Sequence, residues 1–215
     1  HRALTIGEIK PEISNIINGE TITQIKHYNQ KKDADLKLVD ITLSDNDFGI
    51  CYLDIKLRNI GDKVAFLKKV AFHIIDKGEL KVPVEVQYQL IKLSENYTFE
   101  LDIHSDERII HKSVSHKIKP DDVEFIRITV RNAEIDPSFT SLYHISMELI
   151  YNEDDKRIKI PSLLIGLNSS KAWEYINGSS DGDEKIIKKN RKVSKRFKNI
   201  EGIKNPHFEQ ILSDN

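Results

Sequence analysis

The sequence predicts an all-β fold, an antiparallel sandwich or barrel of about seven to nine strands. Within residues 35–167, short segments alternate apolar and polar residues, and turn residues separate them at intervals of roughly 10–15 residues. Strands with one apolar and one polar face are typical of antiparallel sheets that are packed on one side. No stretch in this range has the helical periodicity that the crossover helices of a parallel sheet would need.

Each predicted strand is bounded by residues that favour turns. The alternating segments are 36–43, 51–57, 66–75, 82–90, 97–103, 112–118, 123–130, 142–151 and 157–167. The predicted turns between them include SDNDFG (44–49), NIGD (59–62), DKGE (76–79), KPDD (119–122) and NEDD (152–155). Asp, Asn, Gly and Pro are the residues that tight turns select. The clearest alternation is VPVEVQYQL at 82–90, where Pro83 cannot donate to a neighbouring strand and therefore predicts an edge strand or a strand start.

Two stretches resemble a known superfamily of domains. LDIKLRNIGDKVAF (53–66) resembles bacterial immunoglobulin-like domains, in which the second strand commonly ends in an Asn-x-Gly turn before a strand of the facing sheet. IKPDDVEFIRITV (118–130) is similar to their Pro-led turn into a late strand. The resemblance, to immunoglobulin-like and fibronectin-like β-sandwiches of bacterial type, implies one antiparallel immunoglobulin-like sandwich over residues 35–167. Antibody hallmarks are absent, because Cys51 has no Cys partner and Trp173 lies outside the strand region.

The sequence predicts different organisation on either side of the sandwich. Residues 1–34 scatter Ile among polar residues, with Pro11 and Gly19 as interruptions, and are expected to form an N-terminal arm or linker. Residues 168–215 are expected to form a polar linker followed by a basic C-terminal segment. The linker is rich in Ser, Gly, Asn and Asp, a composition typical of surface loops.

The basic segment carries the strongest signal in the sequence. Its eight cations are Lys185, Lys188, Lys189, Arg191, Lys192, Lys195, Arg196 and Lys198. No acidic residue lies among them, so the rest of the chain must carry a charge of −9 to give the formal net charge of −1. Ile186, Val193 and Phe197 lie along one stripe of a helix, and acidic residues precede the segment. We therefore expect a C-terminal amphipathic helix or tail.

Two interpretations of the basic segment stay open. Its apolar stripe would pack on the chain's own sandwich and leave the Lys face in water. Alternatively, its cations would bind nucleic acid or another anionic partner, with a steep dependence on salt. Docking at a membrane surface is less favoured, because the apolar stripe is narrow.

Four residues come closest to a metal-binding set. They are His104, Asp106, His111 and His116. Zinc sites usually have ligands at short fixed spacings, such as i and i+4 on a helix. An extended backbone would place His111 and His116, five residues apart, on opposite faces. We therefore predict no metal and no cofactor, and keep a metal-dependent hydrolase at His104, His111 and His116 as an alternative.

The sequence offers no catalytic residues. It contains no nucleophile elbow, phosphate-binding loop, dinucleotide-binding glycine motif or HExxH zinc motif. Cys51 falls on the apolar face of its predicted strand, where a free Cys behaves as a small hydrophobic side chain. We expect a non-catalytic protein.

The expected function is therefore a binding or interaction module, part of a larger microbial protein. A protein partner would contact strand faces or the long polar segments 104–112 and 131–141. Copies of the chain could also pair through an exposed edge strand. No apolar run approaches the ~18 residues of a membrane span. A single Cys favours the cytoplasm, while a removed anchor or export signal before His1 stays open as an alternative.

Overall fold

The computed structural model describes residues 16–17, 20–21, 32–46, 49–81, 97–133, 138–167 and 184–213. The chain divides into two units, His1–Lys31 and Lys32–Asn215. In the first unit, strand β1 (Ile16–Ile17) pairs antiparallel with β2 (Glu20–Thr21). The predicted arm at 1–34 and linker at 168–183 fall largely outside the described residues and stay predictions, as does the strand at 82–90.

The described part of the second unit is mostly β, as the sequence predicts. Its strands are β3 (Leu36–Asp45), β4 (Cys51–Asn59), β5 (Ala65–Lys81), β6 (Thr98–Leu101), β7 (Ile109–Ile118), β8 (Val123–Asn132), β9 (Phe139–Tyr151), β10 (Lys156–Leu167) and β11 (Ile203–Lys204). Its helices are α1 (Glu184–Lys198) and α2 (Pro206–Ser213). The expected C-terminal amphipathic helix is α1.

The strands form two sheets, in the orders β11-β10-β9-β5-β7 and β3-β4-β8-β6. Most neighbours are antiparallel, but β6 pairs parallel with β8 and β10 pairs parallel with β11. The expectation of purely antiparallel sheets is therefore wrong at these two pairs. In both cases the chain leaves the sheet between the two strands, through β7 or through α1, and can return in the same direction.

One apolar core lies between the two sheets. On β4, Cys51, Leu53, Ile55 and Leu57 are completely buried, and they form the face that the alternating pattern predicts. Buried side chains of β5, β7, β9 and β10 join the same core from the other sheet. Burying a large apolar side chain contributes about 1.5–3 kcal/mol, so this core is the main source of stability.

The NIGD turn joins the two sheets through a buried asparagine. The Oδ1 atom of Asn59 accepts hydrogen bonds from the backbone N–H groups of Asp35 and Gly61, at 3.2 and 3.1 Å. Its Nδ2 atom donates to the carbonyls of Lys63 and Ile118, at 2.8 and 3.1 Å. Asn59 thus satisfies four backbone groups where the chain passes from β4 in one sheet to β5 in the other.

The predicted turn at DKGE (76–79) is wrong. Strand β5 continues through it to Lys81, and Gly78 pairs with Leu142 of β9. A register shift between Ile74 and Asp76 marks a bulge, which bends the strand without ending it. The turn-like composition therefore has another cause, because Asp76 and Gly78 contact helix α1, which packs on this part of the sheet.

A second apolar cluster covers one outer face of the five-stranded sheet. It contains Leu80, Leu142, Leu164, Phe197, Phe208, Ile211 and Leu212. Three of these come from strands and four from the two helices, and the rings of Phe197 and Phe208 meet edge to face at 6.2 Å between centroids. Both helices are therefore packed on the sheet, and neither is long and apolar enough to cross a membrane.

Candidate functional site

Helix α1 divides into a docked face and a charged face. Asn190, Ser194 and Phe197 are buried, and Val193 and Ile186 are half-buried on the same side. All eight Lys and Arg side chains of the segment are exposed. One of the two open interpretations is thus realised, because the segment packs on its own domain and points its cations to solvent.

The helix approaches β5 closely at Gly78. A Cβ atom at this position would lie 2.6 Å from Cγ1 of Val193 and 2.8 Å from Cε2 of Phe197. Real Cβ atoms do not come so near to other heavy atoms. Gly78 is therefore required by helix packing, which explains why a glycine lies in the middle of a continuous strand.

Asn190 joins the helix to the last residue of β5. The N–H of Lys81 donates to Oδ1 of Asn190 at 3.0 Å, and Nδ2 of Asn190 donates to the carbonyl of Lys81 at 2.8 Å. The amide side chain thus binds both polar groups of Lys81 as a neighbouring strand would. Sequence patterning missed Asn190 and Ser194, because a polar residue on a docked face adds nothing to an apolar stripe.

Arg196 is a docking residue as well as a cation. Its Nε atom lies 2.9 Å from Oδ2 of Asp76, and its Nη2 atom donates to the carbonyl of Lys77 at 2.7 Å. The guanidinium also lies over the ring of Phe197, 5.1 Å from the centroid. The contacts of Arg196 are therefore with its own domain.

Five cations of α1 form a distinct surface, which we call the cationic face. It consists of Lys188, Lys189, Arg191, Lys192 and Lys195, all exposed. Within the described part of the chain, none of the five lies in an ion pair. Lys188, Lys192 and Lys195 follow one another at i, i+4 and i+7 and so form one outward stripe. Like charges at this spacing repel, by about 0.2–0.5 kcal/mol per pair.

The histidines that came closest to a metal site are not brought together. His104 lies in a loop against the ring of Phe139, at 5.7 Å between centroids, and His116 lies 3.5 Å from Glu124. His111 is exposed on β7. The described residues contain no group of three or more His, Cys, Asp and Glu side chains able to hold a metal ion. The hydrolase alternative therefore has no ligand set among them.

A Ser–His contact that the sequence did not indicate lies beside α1. His144 Nε2 is 3.1 Å from Oγ of Ser162, and the Ser162 hydroxyl donates to the carbonyl of Glu201 at 2.6 Å. A hydroxyl has one proton, so His144 must donate to Ser162 and cannot act as its base. Burial lowers the pKa of His144, and the nearby carboxylate of Asp76 opposes this. The pair fastens the chain after α1 to β10.

A second polar cluster fastens α2 to the other sheet. Asp45, at the end of β3, accepts hydrogen bonds from Nδ2 of Asn205 at 2.5 Å and from the backbone N–H of His207 at 2.6 Å. Burial raises the pKa of Asp45 despite these bonds. Burial also raises the pKa of the neighbouring Cys51 thiol, so the thiol is not activated as a nucleophile.

The structure describes all of segment 104–112 and part of segment 131–141, the two segments expected to contact a partner. Segment 104–112 includes the start of β7, and Nζ of Lys77 donates to the carbonyl of Ser105 in it. In segment 131–141, residues 134–137 lie outside the described residues. Residues 104–112, 131–133 and 138–141, the parts that the structure describes, present no cluster of charged or apolar side chains comparable to the cationic face.

Comparisons with known proteins give weak similarity. No family model matches the chain, and no curated protein matches its sequence. Among solved structures, it is similar to the sporulation control protein Spo0M of Bacillus subtilis, with 10% identity over 69% of this chain, 54% of the Spo0M chain and a TM-score of 0.31. A second similar structure is ApaA of Bordetella pertussis, with 11% identity over 66% of this chain, 99% of that chain and a TM-score of 0.28.

The chain thus spans about half the length of the Spo0M structure that it matches. At these TM-scores neither similarity carries an argument about family or activity. What the chain does has to be inferred from its own residues.

Proposed function

We propose that this chain is a non-catalytic interaction module that binds an anionic macromolecule through the cationic face of α1. The observation that carries the proposal is that one face of the helix packs on the sheet and the opposite face is exposed and positively charged. Asn190, Ser194, Phe197 and Arg196 hold α1 on the sheet, and five further cations point outward with no acidic partner among the described residues.

The cationic face places five cations without an acidic partner among the described residues side by side on one helix, in a chain that has 34 Asp and Glu against 33 Lys and Arg. Other exposed lysines in the described ranges, such as Lys37 and Lys117, are also without an ion pair, but several cations of the sheets have close acidic partners. Lys63 lies 2.7 Å from Asp33, and Arg127 forms two hydrogen bonds of 2.7 Å with Asp54. Repulsion among unpaired neighbouring cations disfavours the helix. An anionic partner would remove that repulsion and gain the attraction.

The cationic face is also preorganised. Backbone hydrogen bonds to Asn190 and the close contact at Gly78 fix the axis of α1 against β5. A partner that binds this face would order only Lys and Arg side chains and would not have to fold a helix. Avoiding that entropy cost increases affinity without further contacts.

The fold itself is proposed to be a variant of the immunoglobulin-like sandwich. Supporting this, the Asn59-Ile-Gly61 turn separates strands of opposite sheets, and the late strand β8 follows the Pro-led turn. Such sandwiches commonly serve as scaffolds for binding surfaces. Here the binding surface would lie on an added helix and not on the end loops.

The proposal is tested with heparin as a model polyanion. The variant Lys188→Gln/Lys192→Gln/Lys195→Gln removes three charges from the cationic face. Lys37→Gln/Lys117→Gln/Lys119→Gln removes three exposed charges elsewhere and serves as the matched control. We expect the wild type to bind a heparin column, the first variant to elute at clearly lower salt, and the control to elute close to the wild type.

Failure of the wild type to bind heparin near physiological salt would overturn the proposal. Equal shifts for the two variants would do the same, since binding would then depend on overall charge. Circular dichroism and urea unfolding of each variant establish that the fold is intact, as expected for substitutions of exposed side chains.

A further inference from the structure

We infer that the anionic partner is double-helical DNA, with α1 lying in the major groove and its cations contacting phosphates on both walls. This inference rests on the proposed function and narrows it to one class of partner. It depends on how the five cations are distributed around and along the helix.

The cations surround more than half of the exposed circumference of α1. At 3.6 residues per turn, Lys188, Lys192 and Lys195 point almost directly away from the sheet. Arg191 lies on one flank and Lys189 on the other, so the five side chains span an arc of about 160°. A flat anionic surface would be met by the central three only. A groove with anionic walls would be met by all five.

The dimensions of the major groove fit a helix held in this way. An α-helix with side chains is about 10–12 Å across, and the major groove of B-DNA is about 12 Å wide, lined on both sides by phosphates. Helix α1 has 15 residues, a length of about 22 Å, and Lys188 and Lys195 lie about 10 Å apart along its axis. Contacts to several successive phosphates are therefore within reach.

Two other polyanions fit the helix less well. An interfacial membrane helix inserts an apolar face, but the apolar side of α1, including Phe197, is buried on the protein's own sheet. Duplex RNA has a deep, narrow major groove that a helix does not enter. DNA is the duplex whose groove accepts the whole cationic face.

The exposed side of α1 also indicates what kind of DNA binding to expect. Apart from Glu184 at its first turn, its exposed residues within 184–198 are all Lys or Arg. Lys and Arg bind phosphates or guanine, and no Asn or Gln is available there to read adenine. Arg191, the one Arg of the cationic face, lies on a flank that would face a phosphate-lined wall of the groove. The expected binding is therefore largely independent of sequence. The formal charge outside 185–198 is −9, so the attraction for DNA has to come from this segment.

The experiment measures the affinity of the full chain for two unrelated 20-base-pair DNA duplexes by fluorescence anisotropy between 50 and 200 mM salt. Five phosphate contacts predict a slope of log K against log salt of about −4.5, or a loss of roughly 500-fold over this range. The central variant Lys188→Gln/Lys192→Gln/Lys195→Gln should reduce that slope by about 2.7, and the two duplexes should bind alike.

The flank variant Lys189→Gln/Arg191→Gln distinguishes a groove from a flat surface. We expect it to reduce the slope by about 1.8, because both walls of the groove are contacted. The control variant Lys37→Gln/Lys117→Gln/Lys119→Gln should leave the slope unchanged. A flank variant that behaves like the wild type would overturn docking in the groove.

Competing partners are tested with the same protein. Vesicles rich in phosphatidylserine, or duplex RNA of the same length, binding as tightly as DNA would overturn the inference. Retention on heparin without binding to DNA would also overturn it and leave the proposed function standing. Binding to neither heparin nor DNA would overturn both.

Discussion

At the scale of single residues, the position of α1 depends on one buried asparagine and one glycine. Asn190 binds both backbone groups of Lys81, and Gly78 leaves the space that Val193 and Phe197 occupy. Neither residue is apolar, yet both determine how the apolar side chains meet. The direction of the cationic face is therefore set by contacts on the opposite side of the helix.

Replacing the buried Asn190 by Ala should destabilise the protein more than most substitutions of a polar residue in a surface helix. Both backbone polar groups of Lys81 would lose a part-buried hydrogen bond, at a cost of about 1 kcal/mol each. Urea unfolding provides the measurement. Asn199→Ala, at the exposed residue that directly follows the helix, is the control and should change stability by less than about 0.5 kcal/mol. Similar losses for the two variants would contradict this role.

The same residues mark what sequence patterning can predict. The face of β4 that contains Cys51, Leu53 and Ile55 follows from alternation alone, because each neighbour along a strand points to the opposite side. Asn190 and Gly78 could not be predicted in this way. Their roles depend on a helix more than a hundred residues away in sequence from β5, and local composition does not reveal such partners.

At the scale of elements, α2 connects the two sheets at one end of the sandwich. Asn205 precedes it, accepts from the N–H of Phe208 at 3.3 Å and pairs with Gly166 of β10. Asp45 of β3 binds the N–H of His207 in the first turn, where a carboxylate also interacts favourably with the helix dipole. A short helix of eight residues is thus held by polar contacts at its start and by Phe208 beneath it.

Replacing Asp45 by Ala should loosen this connection. The side chain of Asn205 and the N–H of His207 would each lose an acceptor, with an expected loss of about 2–3 kcal/mol. Asp40→Ala is a matched control on the same strand, because Asp40 is exposed. Hydrogen exchange of the α2 amides, together with urea unfolding, should show the effect for Asp45→Ala alone. Unchanged exchange in α2 would argue against Asp45 as its anchor.

Element boundaries were predicted well where local chemistry decides them. The NEDD segment does turn between β9 and β10, and Asn152 and Asp155 have the positive φ angles, 57° and 53°, that tight turns use. The DKGE segment has similar composition but continues as strand β5. The glycine of DKGE is explained by tertiary packing and not by a turn, because the side chains of Val193 and Phe197 occupy the space above Gly78. The apolar stripe indicated helix α1 and packing on the sandwich as one alternative, while the contact with β5 at Gly78 and Lys81 was not predicted.

At the scale of the whole molecule, positive charge is concentrated on one helix. The eight cations of 185–198 lie on a helix added to one outer face of a sheet, while the rest of the sequence has a formal charge of −9. The composition conceals this, because the formal net charge is −1. This concentration gives the second unit one helix face that attracts anions.

Stability as a whole should fall when the pH is lowered below about 6.5, in part because of His144. Burial lowers its pKa in the fold, so the unfolded chain binds more protons between the folded value and about 6.5. Stability therefore rises with pH across that window and is lost as the pH falls through it. Urea unfolding at pH 7.5 and 5.5 should show a smaller loss for His144→Gln, whose amide can still donate to Ser162. Identical losses for the two proteins would contradict this contribution.

Both helices that cover the five-stranded sheet, and the short strand β11 between them, come last in the chain, which affects the order in which the protein can fold during synthesis. On the ribosome, every strand of the two sheets except β11 is translated before α1 and α2 exist. Leu80, Leu142 and Leu164 would then form an uncovered apolar patch on a nearly complete sheet, the kind of surface on which nascent chains aggregate or recruit chaperones. Helices α1 and α2 cover this patch last, and the apolar surface is exposed until both helices have been translated and packed on the sheet.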